Sequence, residues 1–428
     1  MIEGSTLDVS ESVAQLTRSI EQDWAVRGNQ RDTFPDIAVA ALNWWIARAP
    51  TADCFLDHIV AGAELPVQGR MDSGFGQPSV TLFNSDLFRV DLLFWEHSNL
   101  GIHEHGFTGA FAVLEGSSLV ANFDFFPVAK THSAFEVGDL EIKNIETLKK
   151  GCVRPIYFGR KLIHSVLHLN KPSATLVVKT NTKEHVDEFS FHPPHIAFEP
   201  SLKPISVQKI AQCLELSIRL GWEARFKTLA HLAIKNSLDP QLIYEVVRKA
   251  RTQVRNDELQ EVLSALVREK TGELSDRIVD TIDFEMHRSS CGRLIQKIGD
   301  AGAILLLGLS SIGVGRNIIE QMFAEYFPLE SAGHHLANAT HSIASCQLSL
   351  PSDHPVVQAL CATILSGGDF GDFLSRLDGS IANDLARDPN ISELFDMVAC
   401  RGPLRALGTG SRLHQTIPFR RERVPSFP

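Results

Sequence analysis

Between Val80 and Thr180 the apolar residues recur at the spacing of strands, and no long helix intervenes. The runs are short: SVTLF (79–83), FRVDLLFW (88–95), GIHEH (101–105), AFAVLEG (110–116), SLVANFDFF (118–126), VRPIYF (153–158), HSVLHL (164–169) and ATLVVKT (174–180). Gly116, Gly138 and Gly159 punctuate them. Many short strands joined by turns leave exposed edges unless the sheet closes, so the pattern predicts a sandwich or a closed barrel.

Helical spacing flanks this window on both sides. Val9, Val13, Leu16 and Ile20 follow the candidate cap Ser5, and a second helix runs from Pro35 through Trp44 and Trp45 until Pro50 breaks it. Val60–Pro78 is rich in Gly and Pro and reads as a linker. Beyond Pro204 helices follow one another: Val207–Leu220, Trp222–Lys235, Pro240–Thr252, Asp257–Lys270, Glu273–Met286 and Arg293–Leu307. Further ones are predicted over Arg316–Phe323, Glu330–Ser345, His354–Leu365 and Asp372–Leu385. Gly308–Gly315 reads as a tight turn between helices, since it lacks the strand and lysine of a phosphate loop.

At 428 residues the chain exceeds one ordinary domain. The expected organisation is a helical segment (1–69), a β-barrel (70–200), a helical domain (201–400) and a basic tail (401–428) carrying Arg405, Arg412, Arg420, Arg421 and Arg423. A net charge of −10 argues against nucleic acid as a partner, because phosphate binding needs a cationic surface. Seven scattered cysteines without a C-x-x-C pair signal neither disulfides nor a zinc knuckle, and fit reduced thiols in the cytoplasm. The N-terminus lacks the pattern of a signal peptide. Ala301–Ile312, the most apolar stretch, is too short to span a bilayer and is expected to be a buried helix.

The chemistry concentrates in Ile102-His103-Glu104-His105. Alternate residues of a strand share a face, so His103 and His105 project together and can bind one ion. A third ligand must come from a neighbouring strand, and His164 stands at the start of one. His168, four residues later, shares its parity and is a candidate supporting or substitute ligand. Trp95 and Phe111 are expected to pack the barrel or line its pocket; His97 and His132 are expected in loops. His334, His335 and His341 lie on a predicted helix without an acid at ligand spacing, and read as structural.

An H-x-H strand, a glycine-bounded hairpin at Gly116 and a late histidine after a turn at Gly159 together resemble the cupin superfamily over about residues 80–180. The implied fold is multidomain α+β, a cupin β-barrel (jelly-roll) flanked by a short N-terminal helical segment and a large C-terminal all-helical domain. The glutamate usual after the second histidine is missing, with Gly109 and Ala110 in its place, and Glu115 falls at the exposed hairpin turn. An acid-free three-histidine set resembles thiol dioxygenases of the cysteine dioxygenase type. That likeness is echoed in Leu114-Glu115-Gly116 and Phe123-Asp124. The family's inward serine, histidine and tyrosine would fall on Thr175, Val177 and Lys179, and its carboxylate-binding arginine near Leu82. Substrate cysteine is therefore not implied, although Lys179, Arg89 or Arg160 offer a replacement cation.

The resemblance implies a mononuclear oxygenase using Fe(II), with Zn, Ni or Mn as alternatives, and a small anionic or chelating substrate together with O2. His103, His105 and His164 are the implied ligands; Lys179, His168 and Arg89 are the candidate catalytic residues. Two other readings stand beside it: a ligand sensor whose helical domain binds a protein partner, and a Lewis-acid isomerase or hydrolase. The helical part would cover the barrel mouth, build a homo-oligomer interface or hold that partner. Neither nucleic acid nor membrane is expected.

Overall fold

The computed structural model describes residues 8–379 except 63, 69–74, 98–99, 133, 182–187, 203, 238, 254–256 and 329–330, and beyond 379 only 381–382, 395, 398–399, 403–407 and 417–418. Helices α1 (Val9–Val26), α2 (Phe34–Ile46) and α3 (Ala52–Val60) come first. Strands follow: β1 (Ser79–Asn84), β2 (Phe88–Trp95), β3 (Ile102–His103), β4 (Gly109–Glu115), β5 (Ser117–His132) and β6 (Phe135–Lys149). Then come β7 (Val153–Ile156), β8 (Ile163–His168), β9 (Ser173–Thr180), β10 (Ser190–His192) and β11 (Ile196–Phe198). The helical part comprises α4 (Ile205–Arg219), α5 (Glu223–Asn236), α6 (Pro240–Gln253), α7 (Asp257–Thr271) and α8 (Leu274–Lys297). It continues with α9 (Ala301–Ser311), α10 (Arg316–Tyr326), α11 (Ala332–Leu348), α12 (Pro355–Ser366) and α13 (Phe370–Ser375).

The strands form a β-barrel flanked by helices, the fold class the sequence predicts. One sheet has the order β1-β2-β9-β4-β7; the other runs β10-β11-β6-β5-β8-β3 and closes because β3 pairs back to β10. Alternation sorts the first sheet's side chains cleanly. Leu93, Trp95, Phe111, Val113 and Val177 point into the barrel. Val90, Leu92, Phe94, Ala112, Leu176 and Val178 point outward and are buried under α1–α3. Both faces being covered explains why FRVDLLFW reads as an almost unbroken apolar run. On the second sheet, Leu119, Phe123 and Leu167 face outward into a core shared with α8–α12.

Several boundaries differ from the sequence expectation. β5 extends beyond Phe126 and pairs with β6, a strand the sequence pattern missed. Register shifts at Asn122/Phe123, Pro127/Ala129 and Lys130/His132 reverse the parity along this hairpin, so no sustained period of two survives. His132, expected in a loop, ends β5, while β10 and β11 are too short to carry a pattern. The helices expected over 273–286 and 293–307 are instead α8, unbroken to Lys297, and α9. The break falls at Gly299-Asp300, where the Asp300 carboxylate accepts a hydrogen bond from the Ala303 backbone N–H at 2.7 Å. The polar run at Arg288–Gly292 stays helical because α8 packs through Cys291 and Leu294 into the core.

Gly308 does not belong to an inter-helix turn. It lies inside α9, where a Cβ would stand 2.3 Å from Leu167 Cδ2 and 2.9 Å from Leu119 Cδ2. Its missing side chain lets α9 dock on β5 and β8. Ala301–Ser311 is the expected buried helix, and no helix among the described residues is long and apolar enough to cross a membrane. Of the basic tail, Leu404, Leu407 and Ile417 are buried in the shared core, and Arg405 stacks over Phe284; Arg412, Arg420, Arg421 and Arg423 lie outside the described residues, as does Ser5.

Two consequences are measurable. Gly308→Ala is expected to destabilise the chain by about 2 kcal/mol, within the range for overpacking, read as a lower urea midpoint. A second concerns Glu285 on α8, which joins the helices to the barrel through His192 on β10 and accepts the Tyr244 hydroxyl at 2.6 Å. Burial raises its carboxyl pKa, but the His192 charge and hydrogen bond, Tyr244 and Arg248 outweigh it and leave it at about 2. A depressed folded pKa means stability that is full above the unfolded value and is lost as pH falls toward the folded one. Stability is expected to drop from about pH 4.5 toward pH 2, and Glu285→Gln should flatten that part of the acid-unfolding curve.

Candidate metal centre

β3 contains only two residues, and its pairing decides the site. His103 lies directly opposite His164 of β8, and His105 bridges to Phe158. The three rings gather with centroids 4.8–5.0 Å apart. His105 Nε2 and His164 Nε2 stand 2.9 Å apart, and one nitrogen of each ring lies within 4.8 Å of the others. Among the described residues no carboxylate joins the group. Glu104 has the opposite parity; its side chain accepts from the Phe189 N–H at 3.3 Å and lies 3.9 Å from Arg160 Nε. Burial raises its pKa.

These residues fit a metal ion on their own geometry. Burial lowers the His103 pKa, and burial followed by the neighbouring His164, His103 and Lys179 charges lowers that of His105 well below the usual range. Burial, then His103, brings His164 to about 3. All three are therefore neutral near pH 7 and present lone pairs. His103 Nε2 is buried without a hydrogen-bond partner, and the close His105–His164 pair shares at most one proton. Such an orphaned group costs about 1–3 kcal/mol. Two nitrogens bound at right angles to one ion at about 2.1 Å stand about 3.0 Å apart, close to the 2.9 Å between His105 and His164, and the His103 nitrogen lies within 4.8 Å of both.

Contacts from outside the barrel hold the short strand. Arg31 donates to the Gly106 carbonyl at 2.7 Å, the Glu188 carboxylate accepts from the Gly106 N–H at 2.8 Å, and Arg288 donates to the Leu100 carbonyl. The loops entering and leaving β3 are thus tied to the N-terminal helical segment, to residues just before β10 and to α8.

The histidines border a cavity of about 100 Å³ inside the barrel, walled by Leu93, Trp95, Phe107, Phe111, Val166 and Val177. Trp95 and Phe111 line it as expected. His168 also lines it, stacked on Trp95 with centroids 4.5 Å apart, with Nδ1 3.0 Å from the Ser118 hydroxyl. Burial brings its pKa to about 3. It does not belong to the three-histidine cluster.

Lys179 and Arg89 face each other across β9 and β2 and share one partner. Lys179 Nζ lies 2.9 Å, and Arg89 Nε 3.1 Å, from the buried Asp91 carboxylate, whose other oxygen accepts from Thr81. Burial lowers the Lys179 pKa while Asp91 raises it. Neither residue borders the cavity, whose lining contains no lysine or arginine among the described residues. Arg160 is likewise engaged, at 2.8 Å from Glu136. The sequence pattern missed Phe75, Gln77 and Gly101 as lining residues. Phe75 and Gln77 lie in irregular chain before β1, where no period marks them, and Gly101 opens the predicted strand 101–105 without a side chain to show its face.

No protein-family model matches the sequence, and no curated protein matches it. Similar solved structures include cupin superfamily proteins. An RmlC-like cupin from Shewanella frigidimarina is 16% identical, covering 29% of this chain and 89% of that one, with a TM-score of 0.20. A DMSP lyase from Ruegeria pomeroyi is 12% identical, covering 40% and 94%, with a TM-score of 0.22. An oxalate decarboxylase from Lactobacillus farciminis is 14% identical, covering 36% and 39%, with a TM-score of 0.21. At such scores the site is defined by its own strand pairing and side chains. They make it a buried, acid-free three-histidine group at one end of an apolar barrel cavity.

Anaerobic incubation with ferrous or zinc salt is expected to load about one ion per chain, measured by plasma emission after desalting. His103→Ala and His164→Ala should abolish loading while the far-UV circular dichroism stays that of the parent.

Proposed function

We infer that the chain is a metal-dependent enzyme of the cupin type, a mononuclear oxygenase that holds Fe(II) through His103, His105 and His164. The observation that carries this reading is the acid-free convergence of three neutral imidazoles on one cavity wall. Bound there, Fe(II) would keep its full positive charge and supply the one-electron chemistry that O2 requires. The protein's own contribution is positional. Aromatic and aliphatic walls keep water out and leave room for a small apolar group beside the imidazoles. Trp95, held by its Nε1–H to the Thr175 hydroxyl at 2.9 Å and stacked on His168, fixes the wall's shape.

The neutralised Lys179–Asp91–Arg89 cluster bears on the substrate. A cation already paired with a buried carboxylate is a poor anchor for a second one. That supports a substrate other than cysteine, and assigns Lys179 and Arg89 to holding β2 against β9. His168 is a wall residue in this reading.

The test is oxygen consumption by the Fe(II)-loaded chain, screened against small thiols and β-dicarbonyl compounds. At least one is expected to accelerate uptake, and His105→Ala should remove the response. A flat screen with iron bound would sink the oxygenase reading in favour of a ligand sensor. Exclusive retention of zinc would favour Lewis-acid chemistry.

A further inference from the structure

Beside the barrel cavity lies a larger cleft of about 460 Å³, between the barrel and the helical part. Gln77 and Gly101 line both spaces, so the two adjoin next to β3. One wall is a single face of α8. Ile282, Glu285, Ser289, Gly292 and Gln296 recur at alternating spacings of three and four, the stripe of one helical side. His97, Leu100 and His192 make the barrel's side of the cleft.

The two spaces differ in chemistry. Among the described residues the cavity is lined by no lysine or arginine, whereas the cleft is lined by Arg248 and Arg288. Arg248 is committed to the buried Glu245 carboxylate at 2.7 Å, and Glu285 to His192 and Tyr244. Arg288 is placed differently. It donates to the Leu100 carbonyl, and its Nε is buried without a hydrogen-bond partner. The Glu285 charge also acts on it, but that carboxylate is already shared by His192 and Tyr244. A guanidinium on the cleft wall, hydrogen-bonded to a neutral carbonyl and not to an acid of its own, is complementary to a second carboxylate.

We propose that the cleft is the head-group subsite of the barrel's ligand, a small molecule whose carboxylate pairs with Arg288 while its short apolar end passes Gln77 and Gly101 into the cavity beside His103, His105 and His164. The proposal names the substrate class of the inferred enzyme and rests on that reading for its catalytic meaning, but not for binding. The sizes agree with it. An engineered apolar cavity of about 150 Å³ accepts benzene, so 100 Å³ takes only a few carbon atoms, and the polar remainder has to lie in the cleft. It also gives the helical part a share in the site: α8 supplies the charge the barrel lacks.

The experiment is calorimetric titration of the full chain, metal-free and Zn(II)-loaded, with hexanoate, hexan-1-ol and acetate. Hexanoate is expected to bind more tightly than either of the others in both forms. Arg288→Gln should weaken hexanoate about tenfold or more and leave hexan-1-ol within about twofold. Because Arg288 also pins the loop before β3, the second variant is Ser289→Glu, at an exposed position of the same wall. It adds a negative charge to the cleft and should weaken hexanoate several-fold, with parental circular dichroism. Equal binding of hexanoate to parent and both variants, or binding no tighter than hexan-1-ol, overturns the subsite. Retained hexanoate binding with these variant effects, in a chain that takes up no metal, overturns the enzyme reading and leaves the subsite standing.

Discussion

Everything at the centre of this molecule depends on the pairing of one two-residue strand. β3 bonds to β8 on one side and β10 on the other, and so closes the second sheet. The same pairing sets His103 against His164. Closure and site are therefore one event, since a register slip of a single residue would turn the histidine face away from the cavity. So short a strand cannot hold its own register by ladder bonds, and the structure recruits outside help. Arg31, Glu188 and Arg288 each grip the chain on either side of it.

This explains why helices surround the barrel. α1–α3 bury the outer face of the first sheet, and α8–α12 that of the second. A sheet covered on both faces has no cheap way to flex, so the small interior cavity keeps its shape. The charged residues inside the sheet are matched to one another. Asp91 pairs with Lys179 and Arg89, which neutralises two cations that could otherwise bind substrate. Among the buried polar atoms without a hydrogen-bond partner are His103 Nε2 and Arg288 Nε. One borders the barrel cavity and the other belongs to the wall of the cleft next to it, and both ask for something the polypeptide does not supply.

Much of the site was legible from parity alone. His103 and His105 alternate, and their adjacency follows from strand geometry. Thr175 and Val177 line the cavity, as their parity implies, and Trp95 and Phe111 line it too. Parity was also where the reading failed. Lys179 has the right parity for the interior but ends in an ion pair, because the strand pattern cannot reveal which acid stands on the neighbouring strand. The β5–β6 hairpin was lost for a related reason, since its bulges invert the alternation that identifies a strand.

By itself, then, the sequence determined the kinds of element, a strand-rich window between two helical parts, and two imidazoles aimed the same way. These follow from local periods that each segment carries within itself. Only the tertiary structure decided that β3 lies between β8 and β10, that Gly308 lets α9 dock on the barrel, and that Arg288 reaches the loop before His103. Those contacts join residues from 59 to 188 positions apart and more, and no local period encodes which distant surfaces will meet. The histidines were visible as a motif; their shared cavity, and the arginine-bearing cleft beside it, exist only once the helices have packed around the barrel.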